Sequence, residues 1–410
     1  MKILMANKFF YIKGGSETYY FALKRLLESK GHEVIDFSMK DDKNLKSDYS
    51  DYFVEGVDYN GKMSKSAQLK AARNIIYSKE AKKKFERLVK DTGPDLVHLN
   101  IFQHQLSPSI LDICKKYDLP TVYTAHDLKM LCLNYVMMTH GEICEKCKGG
   151  NYINCLKNKC VKDSSAKSLI NVVEGYFHKW RKSYDAIDEI ITPSNFYREK
   201  FIDFGVNPER VTHIPNFLDK EKPSVNKTDD SEKYFLYFGR LSREKGIMTL
   251  VKAVKDTDRL LYIVGSGPCR EEIENYIKGD KIDNVKLLGF KSGQELTDIV
   301  GNAKAVILPS EWYENGPYSA IESLQLSRPI IGSDIGGIPE LIDGNGYSFA
   351  KGNIDELKDI LLNFPEPGSE EYAMLCKRSE AMFNERYTSG YHYEKLMNIY
   401  DKALKAHCSK

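Results

Sequence analysis

Two glutamates, Glu314 and Glu322, flank the start of an expected helix. An ionised carboxylate only accepts hydrogen bonds, and it can take two O–H donors from one diol. Between them, Asn315, Gly316, Pro317, Tyr318 and Ser319 lead into the helix, where unpaired backbone N–H groups make a ready anion site. A ligand both anionic and rich in hydroxyls suits that set. A nucleotide sugar has diols on its sugar and ribose, with a diphosphate between. Upstream, Gly239-Arg240-Leu241-Ser242-Arg243-Glu244-Lys245-Gly246 follows an apolar run at 234–238. Arg240 and Lys245, at a strand's carboxyl end, can hold a diphosphate and stabilise its charge as it leaves. Two solvated bases are the plainer alternative, and Arg243 is read that way. His126 closes another strand, 119–125. Ligands in open α/β sheets bind outside such strand ends, which places His126 at a cleft, although a lone histidine is more often structural. His98 stands at a similar strand end and is a weaker candidate.

These residues need a scaffold, and the periodicity supplies one. Residues 305–308 form a short apolar run ending at Pro309, as a buried parallel strand does. Tyr318 to Leu326 has helical spacing behind Pro317. A second buried strand spans 328–332, and Pro339-Glu340-Leu341-Ile342 opens another helix. This is half of a doubly wound α/β sheet. The N-terminal part repeats the pattern: a strand at 2–6, a loop ending in Gly14-Gly15, a helix at 16–29 and a strand at 33–37. That glycine pair is either a tight turn or a place where backbone approaches a ligand. Residues 40–65 are polar, and 67–90 read as one basic helix. Its lysines are expected to be a solvated face, with docking onto anionic lipid as the alternative. Leu169 to Tyr184 is a long amphipathic helix, and Ser194 is an N-cap. Asp256 and Asp258 precede a strand and read as a turn, so no catalytic metal is expected.

The resulting domains are 1–218, a linker at 219–233, a second domain at 234–388 and a last helix at 389–410. A cysteine-rich insertion occupies about 132–162. Within it, Cys144-x2-Cys147 and Cys155-x4-Cys160 have metal-clip character, with Cys132 and His140 upstream. Structural zinc on Cys144, Cys147, Cys155 and Cys160 is one reading; reduced or redox-active thiols and disulfides are the others. The 410 residues carry 60 Lys and Arg against 58 Asp and Glu, a net charge of +2, which gives no global attraction for nucleic acid. No apolar run reaches about 18 residues, so no transmembrane helix is expected. The N-terminal apolar stretch is too short for a signal peptide. The expected location is the cytoplasm, with peripheral contact at the inner membrane face as an extension.

With these residues in view, Glu314-Asn315-Gly316-Pro317-Tyr318-Ser319-Ala320-Ile321-Glu322 resembles the E-x7-E signature of retaining family 4 glycosyltransferases. Ser333 to Ile342, the Gly239–Gly246 stretch and Thr124-Ala125-His126-Asp127 resemble other parts of that family's pattern. The resemblance implies a GT-B fold: two Rossmann-like domains facing across a cleft, the last helix crossing back to the first. It also implies roles. Glu314 and His126 would contact the transferred sugar and Glu322 the ribose, with Arg240 and Lys245 on the diphosphate. Gly15 would line the cleft near phosphate and acceptor. The loops at Gly265-Ser266-Gly267 and Gly289-Phe290 would pack on the nucleotide, backbone near Phe290 reading the base. A similar cysteine insertion occurs in a subset of the family.

The expectation is sugar transfer from a nucleoside-diphosphate sugar to a glycan, lipid-linked or small-molecule hydroxyl, with retention. Alternatives are a sugar-nucleotide epimerase of the same shape and a non-catalytic sugar-nucleotide-binding module. A zinc-knuckle nucleic-acid binder would need a basic surface with stacking aromatics, and the near-neutral net charge argues against it.

Overall fold

The computed structural model describes residues 1–57, 64–219, 221–229 and 231–408, with backbone alone at 65–69. Parts of the expected polar segment (58–63), of the linker (220 and 230) and of the last helix (409–410) lie outside the described residues. The chain divides into two compact units, Met1–Ile214 with His392–Lys410, and Pro215–Tyr391.

Strands of the first unit are β1 (Lys2–Ala6), β2 (Glu33–Phe37), β3 (Leu96–Leu99), β4 (Thr121–Thr124), β5 (Met138–Thr139), β6 (Glu142–Ile143), β7 (Glu189–Thr192) and β8 (Val211–His213). Six of them form a parallel sheet in the order β2-β1-β3-β4-β7-β8. The pair β5–β6 is a separate antiparallel hairpin in the cysteine segment. The second unit has β9 (Tyr234–Phe238), β10 (Leu260–Val264), β11 (Val285–Gly289), β12 (Ala305–Leu308), β13 (Ile330–Ser333) and β14 (Gly346–Phe349). They make another parallel sheet, ordered β11-β10-β9-β12-β13-β14. Each unit is therefore Rossmann-like, and the fold class is the GT-B class expected. The strand order reverses between β1 and β3 in one unit and between β9 and β12 in the other. Those are the switch points where such sheets take ligands.

The central strands of the second unit, β9 and β12, are apolar throughout because both faces are covered. Phe235 and Tyr237 point into a core with Leu250, Val254 and Ile273, while Leu236 and Phe238 pack on the other face with Ile321 and Leu324. Each such side chain, fully buried, contributes roughly 1.5–3 kcal/mol.

Three sequence expectations change. The basic stretch at 67–90 is two helices, Lys65–Ile76 and Lys79–Thr92, not one. Ser78 breaks it: its hydroxyl accepts from Ala81 N–H and caps the second helix. Pro339 opens a single 3₁₀ turn, Pro339–Leu341, rather than a longer helix. His98 is no cleft residue. It is fully buried, with Nδ1 at 2.6 Å from Tyr400 Oη and Nε2 at 2.8 Å from Thr124 Oγ1. Asp256 and Asp258 do lie in the turn before β10.

The helix Ser389–Cys408 explains why β3 spends a histidine in the core. From His392 onward it belongs to the first unit, where His392 Nε2 lies 3.1 Å from Tyr19 Oη and Tyr393 Oη lies 2.8 Å from His32 Nε2. Lys402 reaches Glu189 Oε2 at 2.8 Å. Among the described residues no helix is long and apolar enough to cross a membrane.

Candidate active site

In the second unit the loops after β9, β10 and β11 are zipped together by backbone. Gly239 N–H donates to Val264 O, Leu241 N–H to Ser266 O at 2.9 Å, and Gly265 N–H to Gly289 O at 2.8 Å. Gly265 is what allows this. Its φ is +141°, and a Cβ there would stand 1.9 Å from Gly239 O. A Cβ at Gly267 would stand 2.2 Å from Leu241 O. The expected nucleotide-side glycines Gly239, Gly265 and Gly267 thus form one continuous backbone floor. Phe290, next after β11, is 72% exposed.

Across the switch point, the loops after β9 and β12 meet through side chains. Lys245 Nζ lies 2.5 Å from Glu314 Oε1, and Ser310 Oγ donates to the same oxygen at 2.7 Å. Gly246, at φ +66°, follows the lysine and lets its loop rest on Pro309 O. Glu314 is buried. Burial alone would raise its pKa, but the Lys245 ammonium and the Ser310 hydroxyl outweigh it and hold the carboxyl below the usual range. Glu314 is therefore a fixed anion at neutral pH. The Lys245 ammonium also sits 5.1 Å from the Trp312 ring centroid. Arg240 is exposed on the same β9 loop, its carbonyl accepting from Tyr237 Oη at 2.8 Å.

After Glu314, the loop through Asn315 and Gly316 is pinned by Asn216 Nδ2, which donates to Gly316 O at 2.8 Å. Pro317 precedes the helix Tyr318–Gln325, so the N–H groups of Tyr318 and Ser319 fall at its open end. Glu322 lies half-buried on that helix. Sequence reasoning places these residues but misses Ser310, whose only signal is its position two residues beyond the end of β12.

In the first unit, Gly15 is exposed and begins the helix Gly15–Ser29. His126 follows β4 and is half-buried, its ring edge-on to Tyr19 with centroids 4.8 Å apart. Nε2 lies 2.9 Å from Asn100 Oδ1, an acceptor, so Nε2 carries the proton and Nδ1 presents a lone pair. Burial pushes the pKa of His126 down to about 3, which keeps the ring neutral.

The same unit holds a buried charge network that the sequence did not reveal. Lys129 Nζ bonds Glu174 Oε2 at 2.9 Å, Asn171 Oδ1 at 2.8 Å and Leu133 O, all buried. Burial lowers the pKa of Lys8, after β1, against the opposing pull of Asp127; it raises that of Asp127 against Lys129 N–H and the two ammonium groups. The available signal was the position of Lys8 and Asp127 just beyond strand ends.

The cysteines do come together. Cys132, Cys144, Cys147, Cys155 and Cys160 line one pocket with Asn134 and Met138. All nine cysteines are free thiols. Burial pushes Cys147 and Cys155 each up to about 12, so they are protonated at neutral pH. Among the described residues no three His, Cys, Asp or Glu side chains are arranged to hold one metal ion. What favours zinc there is the cysteine spacing and the shared pocket.

The fold and these sites together define a GT-B glycosyltransferase, and comparison with known proteins agrees. The Glycosyltransferase Family 4 profile matches residues 13–222, more than half of the 410-residue chain, and Glycosyl transferases group 1 matches 219–379. The chain belongs to Glycosyltransferase Family 4. It is similar to an uncharacterized glycosyltransferase of Methanocaldococcus jannaschii, 24% identical over 366 residues and 88% of each chain. The amylovoran biosynthesis glycosyltransferase AmsK of Erwinia amylovora is 25% identical over 53% of this chain and 57% of its own. Among solved structures, sucrose-phosphate synthase from Thermosynechococcus elongatus superposes with a TM-score of 0.71 at 17% identity over 99% of both chains. Anabaena HepE in complex with UDP gives 0.65 at 16% identity, covering 98% of this chain and 100% of that one.

Proposed function

We propose that this glycosyltransferase moves a sugar from a nucleoside-diphosphate sugar to a hydroxyl of a glycan, glycolipid or small-molecule acceptor. Transfer retains the anomeric configuration and serves surface-polysaccharide or glycoconjugate assembly. The observation that carries this reading is the Lys245–Glu314 pair at the β9/β12 switch point, beside Arg240 and an open helix start. The bond from the anomeric carbon to the diphosphate breaks and its electron pair stays with the departing diphosphate, while the acceptor oxygen forms the new bond to that carbon and its proton passes to the diphosphate. Arg240, Lys245 and the N–H groups of Gly316, Tyr318 and Ser319 stabilise that charge. Glu314, fixed as an anion, holds sugar hydroxyls, and Glu322 holds the ribose. Neutral His126 accepts a hydrogen bond from a sugar hydroxyl through Nδ1. Gly239, Gly265, Gly267 and backbone near Phe290 hold the nucleotide, and Gly15 is assigned a role at phosphate and acceptor. No residue is assigned as a covalent nucleophile.

Relatives support the substrate class. Anabaena HepE has been crystallised with UDP, with UDP and glucose, and with UDP-glucose, and Staphylococcus aureus TarM with UDP and alpha-GlcNAc-glycerol. AmsK is named for amylovoran biosynthesis, and a similar Klebsiella protein is named for its cps region. Positive charge from Arg240 and Lys245 would do what a divalent cation does elsewhere. A thermal-shift panel of UDP, GDP, ADP, TDP and their sugars, with and without EDTA, tests this. One diphosphate should raise the melting temperature whether or not chelator is present; no response to any of them would overturn the donor site. Product analysis then separates transfer from epimerisation, because an epimerase alters the sugar nucleotide without a second substrate. Structural zinc on Cys144, Cys147, Cys155 and Cys160 is a separate proposal, tested by metal analysis of the reduced protein.

A further inference from the structure

The helix Ser165–Trp180 has two unlike faces. One is built into the first unit: Ser168, Asn171, Val172, Glu174 and His178 are buried, with Glu174 held by Lys129. The other has Leu169 at 48%, Val173 at 46%, Tyr176 at 41% and Trp180 at 78% exposure. At 100° per residue these four fall within a narrow arc, so they form a single apolar stripe along the helix. Surface apolar residues scattered singly need no explanation, but a continuous stripe ending in an exposed tryptophan does.

Charge around the stripe indicates what it meets. Between Lys146 and Lys182 the sequence has nine Lys and Arg but only two acids, Asp163 and Glu174, in a chain that is otherwise nearly balanced. Glu174 is buried on the opposite face. Lys148 and Arg181 are matched by Asp203 and Asp112. Lys157 and Lys159, in the segment packed against this helix, and Lys182, just past its end, remain exposed. The other basic helix, Lys79–Thr92, differs. Lys82 is 2.9 Å from Asp112, Lys84 is 3.2 Å from Glu80, and it has no exposed apolar stripe.

We infer that the Ser165–Trp180 face and the lysines of the cysteine segment form a docking surface for an anionic lipid bilayer. Trp180, Leu169, Val173 and Tyr176 enter the headgroup boundary, and the lysines sit on lipid phosphates. The helix lies in the interface plane; it does not span.

The test is sedimentation of the full chain with phosphatidylcholine vesicles and with vesicles containing one-third phosphatidylglycerol. Binding should appear on the anionic vesicles and fall with salt. Lys157→Glu with Lys159→Glu should weaken it about 10-fold or more, the scale of reversing two interfacial cations. Trp180→Ser with Val173→Ser should weaken it on the same scale, and the fluorescence blue shift on vesicle addition should vanish in Trp180→Phe. These positions are exposed, so melting temperature and nucleotide-induced shift should match the parent. Equal sedimentation with and without anionic lipid would overturn the inference. So would a dimer in light scattering that Trp180→Ser dissolves, because a second copy would then own the stripe.

Discussion

The carboxyl edges of the two sheets solve different problems. In the second unit the edge is made of backbone and fixed charge: glycine loops zipped side by side, with Lys245 clamped to Glu314. In the first unit it is made of polar side chains that satisfy one another, a half-buried neutral His126 bonded to Asn100 and, separately, a buried Lys129–Glu174 pair. The contrast extends to composition. All nine histidines fall in Met1–Ile214 or beyond Tyr391, and the unit from Pro215 to Tyr391 has none. A diphosphate needs permanent charge and N–H groups, which short local motifs supply. A neutral hydrogen-bonding edge needs partners delivered from across a sheet.

Substitutions can break that comparison, and the largest effect is expected at the charged edge. Glu314→Gln and Arg240→Ala should each lower transfer about 100-fold or more with the fold intact, measured as kcat/KM beside circular dichroism. Near-parental activity in both would remove the charged edge from the mechanism. Next, Gly265→Ala should destabilise the protein and weaken nucleotide binding together, since the added Cβ would lie 1.9 Å from Gly239 O. A parental melting temperature there would show that the glycine floor can yield.

At the other edge, His98→Ala should cost about 1–3 kcal/mol in denaturant unfolding, because it strands the Tyr400 and Thr124 hydroxyls in the core. Acid sharpens the comparison further. His98 and His126 have folded pKa values near 3 and His178 near 4, each lowered by burial from about 6.5. The unfolded chain therefore binds more protons below pH 6.5. Stability from these groups is complete above that pH and is lost as pH falls towards 4. Melting followed from pH 7.5 to 4.5 should decline, and less steeply in His178→Gln. An identical slope would mean that carboxylates alone drive it. The smallest effect belongs to the helix Lys79–Thr92, where Lys90→Ala, which loses only a surface i,i+4 pair with Glu86, should change the unfolding free energy from denaturant titration by no more than about 0.5 kcal/mol.

What the sequence disclosed follows the same division. The second unit was readable because its determinants are local: Pro317 before a helix, glycines after strands, two cations within one loop. In the first unit the strands and His126 were readable, but the surroundings were not. Asn100 lies 26 positions from His126, and Glu174 lies 45 from Lys129. His98 looked like a ligand-facing residue because its partner, Tyr400, is 302 positions away. The basic run at 67–90 hid a break, since the polar cap at Ser78 weighs little against a strong helical period. Pro339 promised a helix, but only one turn forms before β14.

The return of the last helix to the first unit bears on how the chain is made. On the ribosome the residues up to Ile214 emerge early, yet β3 then holds His98 without Tyr400, and Tyr19 has yet to meet His392. The interposed unit, Pro215–Tyr391, is continuous and can finish first. The first-made part of the protein is thus the last to be completed. Until synthesis ends, it exposes a polar core lacking one wall, so a nascent chain stalled before residue 392 should be a chaperone client rather than a folded domain.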